Sequence, residues 1–223
     1  MTATATPQSS LETPNLGYFG WLRHDVLAHV PQNARHVLSV GCASGLTEAE
    51  LVKRGATVVG LEMDPTAARI ARDRGIIVHE GDAQSLGDAL QGQRFDCLIY
   101  ADILEHLSDP FSLLQQHVTQ LLPGGTVIIS VPNFRHALVL WQLLVRGYIN
   151  YTDAGILDKT HLRITTRRMV QKWFDELDLT TSAVDYRMSQ RRERAIARLT
   201  LGLASEFLAR QVIVVGKKQA LTQ

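Results

Sequence analysis

Five short runs, Val37–Val40, Thr57–Leu61, Ile76–His79, Phe95–Ala101 and Thr126–Val131, constrain this chain more than anything else in it. Each is nearly continuous in Val, Ile and Leu, where a strand with one wet face would alternate, so each reads as a parallel strand buried on both faces. Helical patterns at Leu46–Arg54, Pro65–Arg74 and Pro110–Leu122 lie between them. Pro65 follows Asp64 at a first helical position, and "LLPGG" closes the third helix with a proline and a glycine pair. Strand, helix and strand in alternation require crossover connections, hence a doubly wound, mostly parallel α/β sheet.

After Val131 the rhythm changes. "NFRHALVLWQLLVRGYI" reads as an amphipathic helix and "YTDAGILDKTHLRI" as a long irregular loop. A helix at Thr166–Leu177, a strand near Thr180–Arg187, an Arg-rich helix and a last strand at Gln211–Gly216 follow, which brings the sheet to seven strands. With 223 residues the chain supports one domain, expected over 17–223, with a lid or acceptor segment around 133–165. Residues 1–16 read as a tail; their start is small and polar and lacks the basic and apolar regions of a signal peptide. No apolar run reaches the roughly 18 residues that span a bilayer, and a cytoplasmic location is expected. A formal net charge of +1 argues against a nucleic-acid partner. Cys42 and Cys97 cannot build a metal cluster between them and read as small core residues, and no metal centre is expected.

The first strand runs into "GCASG", a glycine turn at the place where such sheets bind ligands, the carboxyl end of a strand near the point where strand order reverses. A phosphate loop fails because Leu46, not lysine, follows Gly45. A dinucleotide fingerprint fails at Ala43 and Thr47 and agrees only at Glu62. The remaining reading is a nucleoside ligand without a pyrophosphate. Gly41 and Gly45 supply the close turn, Glu62 ends the second strand, and Asp82 follows the third.

These stretches resemble the motifs of class I S-adenosylmethionine-dependent methyltransferases over nearly the whole chain from Gly17: "VLSVGCASG", "VVGLEMDP", "EGDAQSL", "FDCLIYADILEHLSDP" and "LLPGGTVIISVPN". The resemblance implies a Rossmann-like seven-stranded sheet with an antiparallel C-terminal strand, and S-adenosylmethionine as cofactor. It places Gly41, Cys42, Ala43 and Gly45 along the methionine and ribose, Glu62 on the ribose hydroxyls and Met63 on the adenine. Asp82 and Ala83 would meet the adenine amino edge, and Asp102 and Leu104 would line the methionine end. Tyr18 would cover the cofactor, or else be a core aromatic. Where the family has an acid two residues before the first glycine, this chain has Ser39. The serine lacks the charge that helps hold the ligand's ammonium, so Ser39→Asp is expected to tighten binding.

"YTDAGILDKTHLRITT" is similar to a segment of methyltransferases associated with bacterial surface-polysaccharide and glycan biosynthesis. That implies methylation of a small-molecule acceptor, foremost a sugar or sugar-nucleotide hydroxyl. Another natural product methylated at oxygen or nitrogen is the alternative, and a non-catalytic S-adenosylmethionine-binding module is the alternative from a different class. For a hydroxyl acceptor, a neutral imidazole suits the proton transfer near pH 7. His161 is the first candidate base with Asp158 as its orienter, His106 is the second, and an internal polar network of Asp158, His161 and Arg163 is the structural counterpart. Asp109, before Pro110, reads as a helix cap. Arg23 reads as a surface residue, or else as a contact to the cofactor carboxylate. In "RMSQRRERAIAR" the arginines read as the wet face of an amphipathic helix whose dry face is Ile196, Leu199 and Leu203.

Overall fold

The computed structural model describes residues 21–220. Its strands are β1 (His36–Val40), β2 (Thr57–Glu62), β3 (Ile77–Glu80), β4 (Phe95–Ala101), β5 (Leu121–Pro132), β6 (Leu179–Arg187) and β7 (Gln211–Lys218). The helices are α1 (His24–Leu27), α2 (Leu46–Lys53), α3 (Pro65–Asp73), α4 (Pro110–Gln120), α5 (Ala137–Trp141), α6 (Arg167–Glu176), α7 (Arg191–Leu199) and α8 (Ser205–Leu208). Among the described residues they form one seven-stranded sheet in the order β3-β2-β1-β4-β5-β7-β6. β1 to β5 run parallel, and β7 is antiparallel to both its neighbours. The order reverses between β1 and β4, which leaves a crevice at the carboxyl ends of these two strands.

The apolar continuity of the strands has a direct cause in the packing. Leu38, Leu98, Tyr100, Val127 and Ile129 face one layer, with Leu114 of α4 and Phe174 of α6. The alternate residues Val37, Cys97, Ile99 and Ile128 face the other, with Leu51 of α2 and Ala68 of α3. Two covered faces require apolar residues at both phases of the two-residue period. Helix starts are fixed locally. The Asp64 carboxylate accepts the Ala67 N–H at 2.7 Å with Pro65 next in the chain, and Asp109 accepts the Ser112 N–H at 3.1 Å ahead of Pro110.

Four parts of the sequence reading are changed by the structure. β3 lies at the sheet edge and leaves Ile77 53% exposed, so it is not buried on both faces. α4 ends at Gln120 because Leu121 already has extended backbone and pairs with Phe95. The register then shifts before Cys97 pairs with Thr126, and "LLPGG" belongs to β5. The amphipathic helix after β5 is short: α5 passes into a π-helical turn, Gln142–Arg146, which Gly147 ends at φ +71°. α7 forms, but Leu199 and Leu203 are 84% and 83% exposed, and the buried positions of this helix are Glu193 and Ala197. The expected dry face is therefore wet. Residues 1–16 and Tyr18 lie outside the described residues.

Candidate active site

The turn after β1 is held open by its backbone. Gly41, Ala43 and Gly45 all have positive φ, at +70°, +48° and +73°. A side chain at Gly45 would also meet the Ile76 Cδ1 at 2.5 Å, so both space and conformation exclude one. The Cys42 side chain is buried, and its sulfur would lie 2.6 Å from any Cβ on Gly60 of β2. Cys42 therefore offers a ligand its backbone, while its thiol fills the gap that Gly60 leaves.

Glu62, at the end of β2, joins this turn to the next. One carboxylate oxygen accepts the Ala43 N–H at 2.7 Å and the other accepts the Asp64 N–H at 2.9 Å. Met63 beside it is 73% exposed. At the end of β3 the Gly81 N–H reaches the Glu62 carbonyl at 2.8 Å, which sets Asp82 and Ala83 next to the same crevice. Asp82 is exposed and accepts the Gln84 N–H at 3.1 Å, and Ala83 packs on the core.

Asp102, after β4, has φ +57°, a strained value for a residue with a side chain. It is fixed by the Ser130 hydroxyl, which donates to it at 2.8 Å, and by the Arg23 guanidinium. Arg23 also pairs with Asp25 at 2.9 Å and donates to the Ser130 hydroxyl at 2.9 Å. Burial opposes its charge, but Asp25 and Asp102 outweigh that and raise its pKa. Arg23 is thus not a surface residue; it is the cation of a network under the site. Leu104 also departs from expectation. It is fully buried in the core layer, and the side chain that lies on Gly41 is Ile103, within about 3.1 Å of a Cβ built there.

Sequence reading missed Glu48. The Ser39 hydroxyl donates to its carboxylate at 2.6 Å, and Glu48 is 4% exposed in the first turn of α2. Burial first, and the charge of Glu62 last, push its carboxyl above the usual range against the Ser39 hydrogen bond. The carboxyl group that position 39 lacks is therefore present, carried by the helix. Nothing local in the sequence marks this pair, which forms only when the turn folds α2 back against β1.

The loop before α6 is pinned to the 3-10 turn Leu104–His106. Leu162 and Arg163 donate their N–H groups to the Glu105 carbonyl at 2.8 and 3.1 Å, and the Arg163 side chain donates to the Ser108 carbonyl. The His106 and His161 rings meet edge to face at 4.9 Å. Asp158 does not orient His161 by touching its ring. Its carboxylate accepts the Thr160 N–H at 2.8 Å and the Thr160 hydroxyl at 2.7 Å, while the Ile156 carbonyl lies 3.0 Å from the His161 Nδ1. Burial first, then the neighbouring His161, lower the His106 pKa. Burial first, then the charge of Asp102, push Glu105 well above the carboxylate range. The two candidate bases are thus brought together, beside the buried carboxyl group of Glu105.

A glycine turn at the switch point, with an acid at the end of each of the next strands, defines the fold of the S-adenosylmethionine-dependent methyltransferases. Solved structures agree. A methyltransferase of this kind from Archaeoglobus fulgidus matches with a TM-score of 0.63 at 16% identity, covering 84% of this chain and 87% of that one. Magnesium protoporphyrin IX methyltransferase from Synechocystis, solved with bound SAH, matches with a TM-score of 0.60 at 14% identity over 87% and 78% of the two chains. Within that fold the chain belongs to the MetW family, whose model, described as methionine biosynthesis protein MetW, matches residues 23–202. Curated relatives include ubiquinone biosynthesis O-methyltransferases. The one from Histophilus somni is 30% identical over 125 residues, 51% of this chain and 50% of that protein. The one from Xanthomonas campestris is 30% identical over 142 residues, 57% and 59%. The chain thus spans about half the length of these relatives.

Proposed function

We propose that this chain transfers the methyl group of S-adenosylmethionine to a hydroxyl group of a small-molecule acceptor. The observation that carries the reading is Glu62, whose carboxylate closes the glycine turn from the end of the adjacent strand, the position from which a ribose diol is held. Around it Gly41, Ala43, Gly45 and the Cys42 backbone would follow the methionine and ribose, Met63 would cover the adenine, and Asp82 and Ala83 would meet its amino edge. Asp102 would stand at the methionine end.

In the reaction the sulfur–methyl bond breaks as the acceptor oxygen bonds to the same carbon from the opposite side. The sulfonium leaves as a neutral thioether and the hydroxyl proton passes to a base. Holding the reactants together supplies roughly 7–11 kcal/mol of the barrier reduction, and a placed base about 10²–10⁴-fold. The His106–His161 pair is where that proton is received, and residues 133–165 form the acceptor side of the site. Exposed Leu138, Trp141, Leu144, Tyr151, Leu162 and Ile164 on this segment favour an acceptor with an apolar body, in keeping with the names of the relatives. A sugar or glycan hydroxyl is the second reading, supported by the loop pattern from Tyr151 to Arg163. Labelled-methyl transfer to paired panels of phenolic and sugar acceptors tests both. Transfer to phenols alone supports the first reading, transfer to sugars the second, and cofactor binding without transfer to any acceptor reduces the chain to a binding module.

A further inference from the structure

Two imidazoles near the acceptor side have been prepared in the same way. The His161 Nδ1 faces the Ile156 carbonyl at 3.0 Å, and a carbonyl can only accept, so Nδ1 of the neutral ring carries the hydrogen. At His106 the Nδ1 lies 3.3 Å from the Thr160 carbonyl and 3.2 Å from its hydroxyl oxygen. The proton of that hydroxyl is committed to Asp158 at 2.7 Å, so Thr160 also accepts, and His106 takes the same tautomer. Both Nε2 atoms are left with a bare lone pair. Beside the His161 Nε2 is Glu105, 1% exposed, with one carboxyl oxygen 4.0 Å from that nitrogen and the other buried without a hydrogen-bond partner. One ligand atom from each of Glu105, His106 and His161 lies within 4.8 Å of the others. Two imidazoles clustered with a buried carboxyl group, each with one ring nitrogen held by oxygen acceptors, are what a bound cation requires.

We propose that Glu105, His106 and His161 bind a divalent first-row transition-metal ion, with Asp158, through Thr160, and the Ile156 carbonyl as the groups that fix the two ligand rings. Two nitrogens and one carboxylate select ions of borderline softness such as zinc, cobalt or iron(II) over magnesium or calcium. Two ligands about 2.1 Å from one ion lie roughly 3.4 Å apart at the tetrahedral angle. Glu105 and His161 need little movement for this, and half-buried His106 turns inward to complete the set. Three protein ligands leave positions open to solvent or to an acceptor oxygen. Existence of the site is independent of the proposed reaction. Its role rests on the methyl-transfer reading: with the ion bound the two imidazoles are ligands rather than bases, and the ion lowers the pKa of the acceptor hydroxyl, whose proton then passes to bulk water.

The full chain, stripped with a chelator, is titrated with Co²⁺ without cofactor or acceptor. Saturation at one equivalent with visible d–d absorption is expected. Glu105→Gln and His106→Ala, each shown folded by circular dichroism, are expected to weaken binding at least about tenfold and to change that spectrum. Should Glu105→Gln fail to fold, His106→Ala and His161→Ala carry the comparison. No saturable binding, or binding and spectrum unchanged in the folded variants, overturns the proposal. Neither result bears on cofactor binding, which a separate titration with S-adenosylmethionine reads.

Discussion

Ser39 reverses one expectation. Read alone, it is a lost charge that aspartate would restore. In the structure its hydroxyl holds the buried Glu48, so an aspartate would press a second carboxylate against the first. Ser39→Asp should therefore destabilise the fold, by on the order of 3 kcal/mol, and weaken cofactor binding where the sequence predicts tightening. Thermal unfolding and a titration of this variant check both; a tighter complex with unchanged stability would contradict the assignment to Glu48. Glu62 makes the complementary case. Glu62→Gln keeps the shape but removes the charge from a set of charge-assisted hydrogen bonds, and should weaken cofactor binding by on the order of 1.5–3 kcal/mol. Equal affinity by calorimetry would remove Glu62 from the site. The acids at strand ends were legible because Glu62 and Asp102 directly follow apolar runs and Asp82 comes within three residues of one. Glu48 and Glu105 were not, since what makes each of them informative is a partner elsewhere in the chain.

Among the elements, the junction of β4 and α4 carries a pH dependence. The Tyr100 hydroxyl lies 2.8 Å from the His117 Nδ1, both side chains are fully buried, and burial holds the His117 pKa down at about 4. The folded state therefore disfavours the protonated ring. The stability this represents is present in full above the ordinary histidine pKa and is lost as the pH falls from about 6.5 to 4, to a total of about 3 kcal/mol. Denaturant unfolding across that window should show the loss, and His117→Phe should flatten this component; an unchanged slope in the variant would mean that other groups cause it. The turn before α2 offers a second measure. Gly45→Ala costs about 1–2 kcal/mol from its left-handed backbone alone, and the contact with Ile76 adds to it, so the melting temperature should fall by several degrees. A melting temperature equal to that of the parent chain would mean that the turn relaxes. These elements were readable because strand, cap and turn are local. The segment after β5 was not: its helix passes into a π turn, and the loop that follows is fixed by hydrogen bonds to Glu105, some 57 residues earlier.

For the whole molecule, the order of apolar runs specified a doubly wound sheet, because two covered faces leave their mark along the central strands. The reversal of strand order between β1 and β4 then gathers Gly41, Glu62, Asp82 and Asp102 at one edge, although they are spread over 62 residues of chain. What remained hidden was whatever this gathering creates between distant segments, above all the meeting of His161 with Glu105 and His106. The proposed methyl transfer requires that edge to be a nucleoside site. Calorimetric titration of the full chain with S-adenosylhomocysteine, and in parallel with NAD, tests it most directly. Saturable binding of S-adenosylhomocysteine at one equivalent, weakened in Glu62→Gln, with no heat from NAD, is the predicted result. Tight NAD binding with no response to S-adenosylhomocysteine would contradict it.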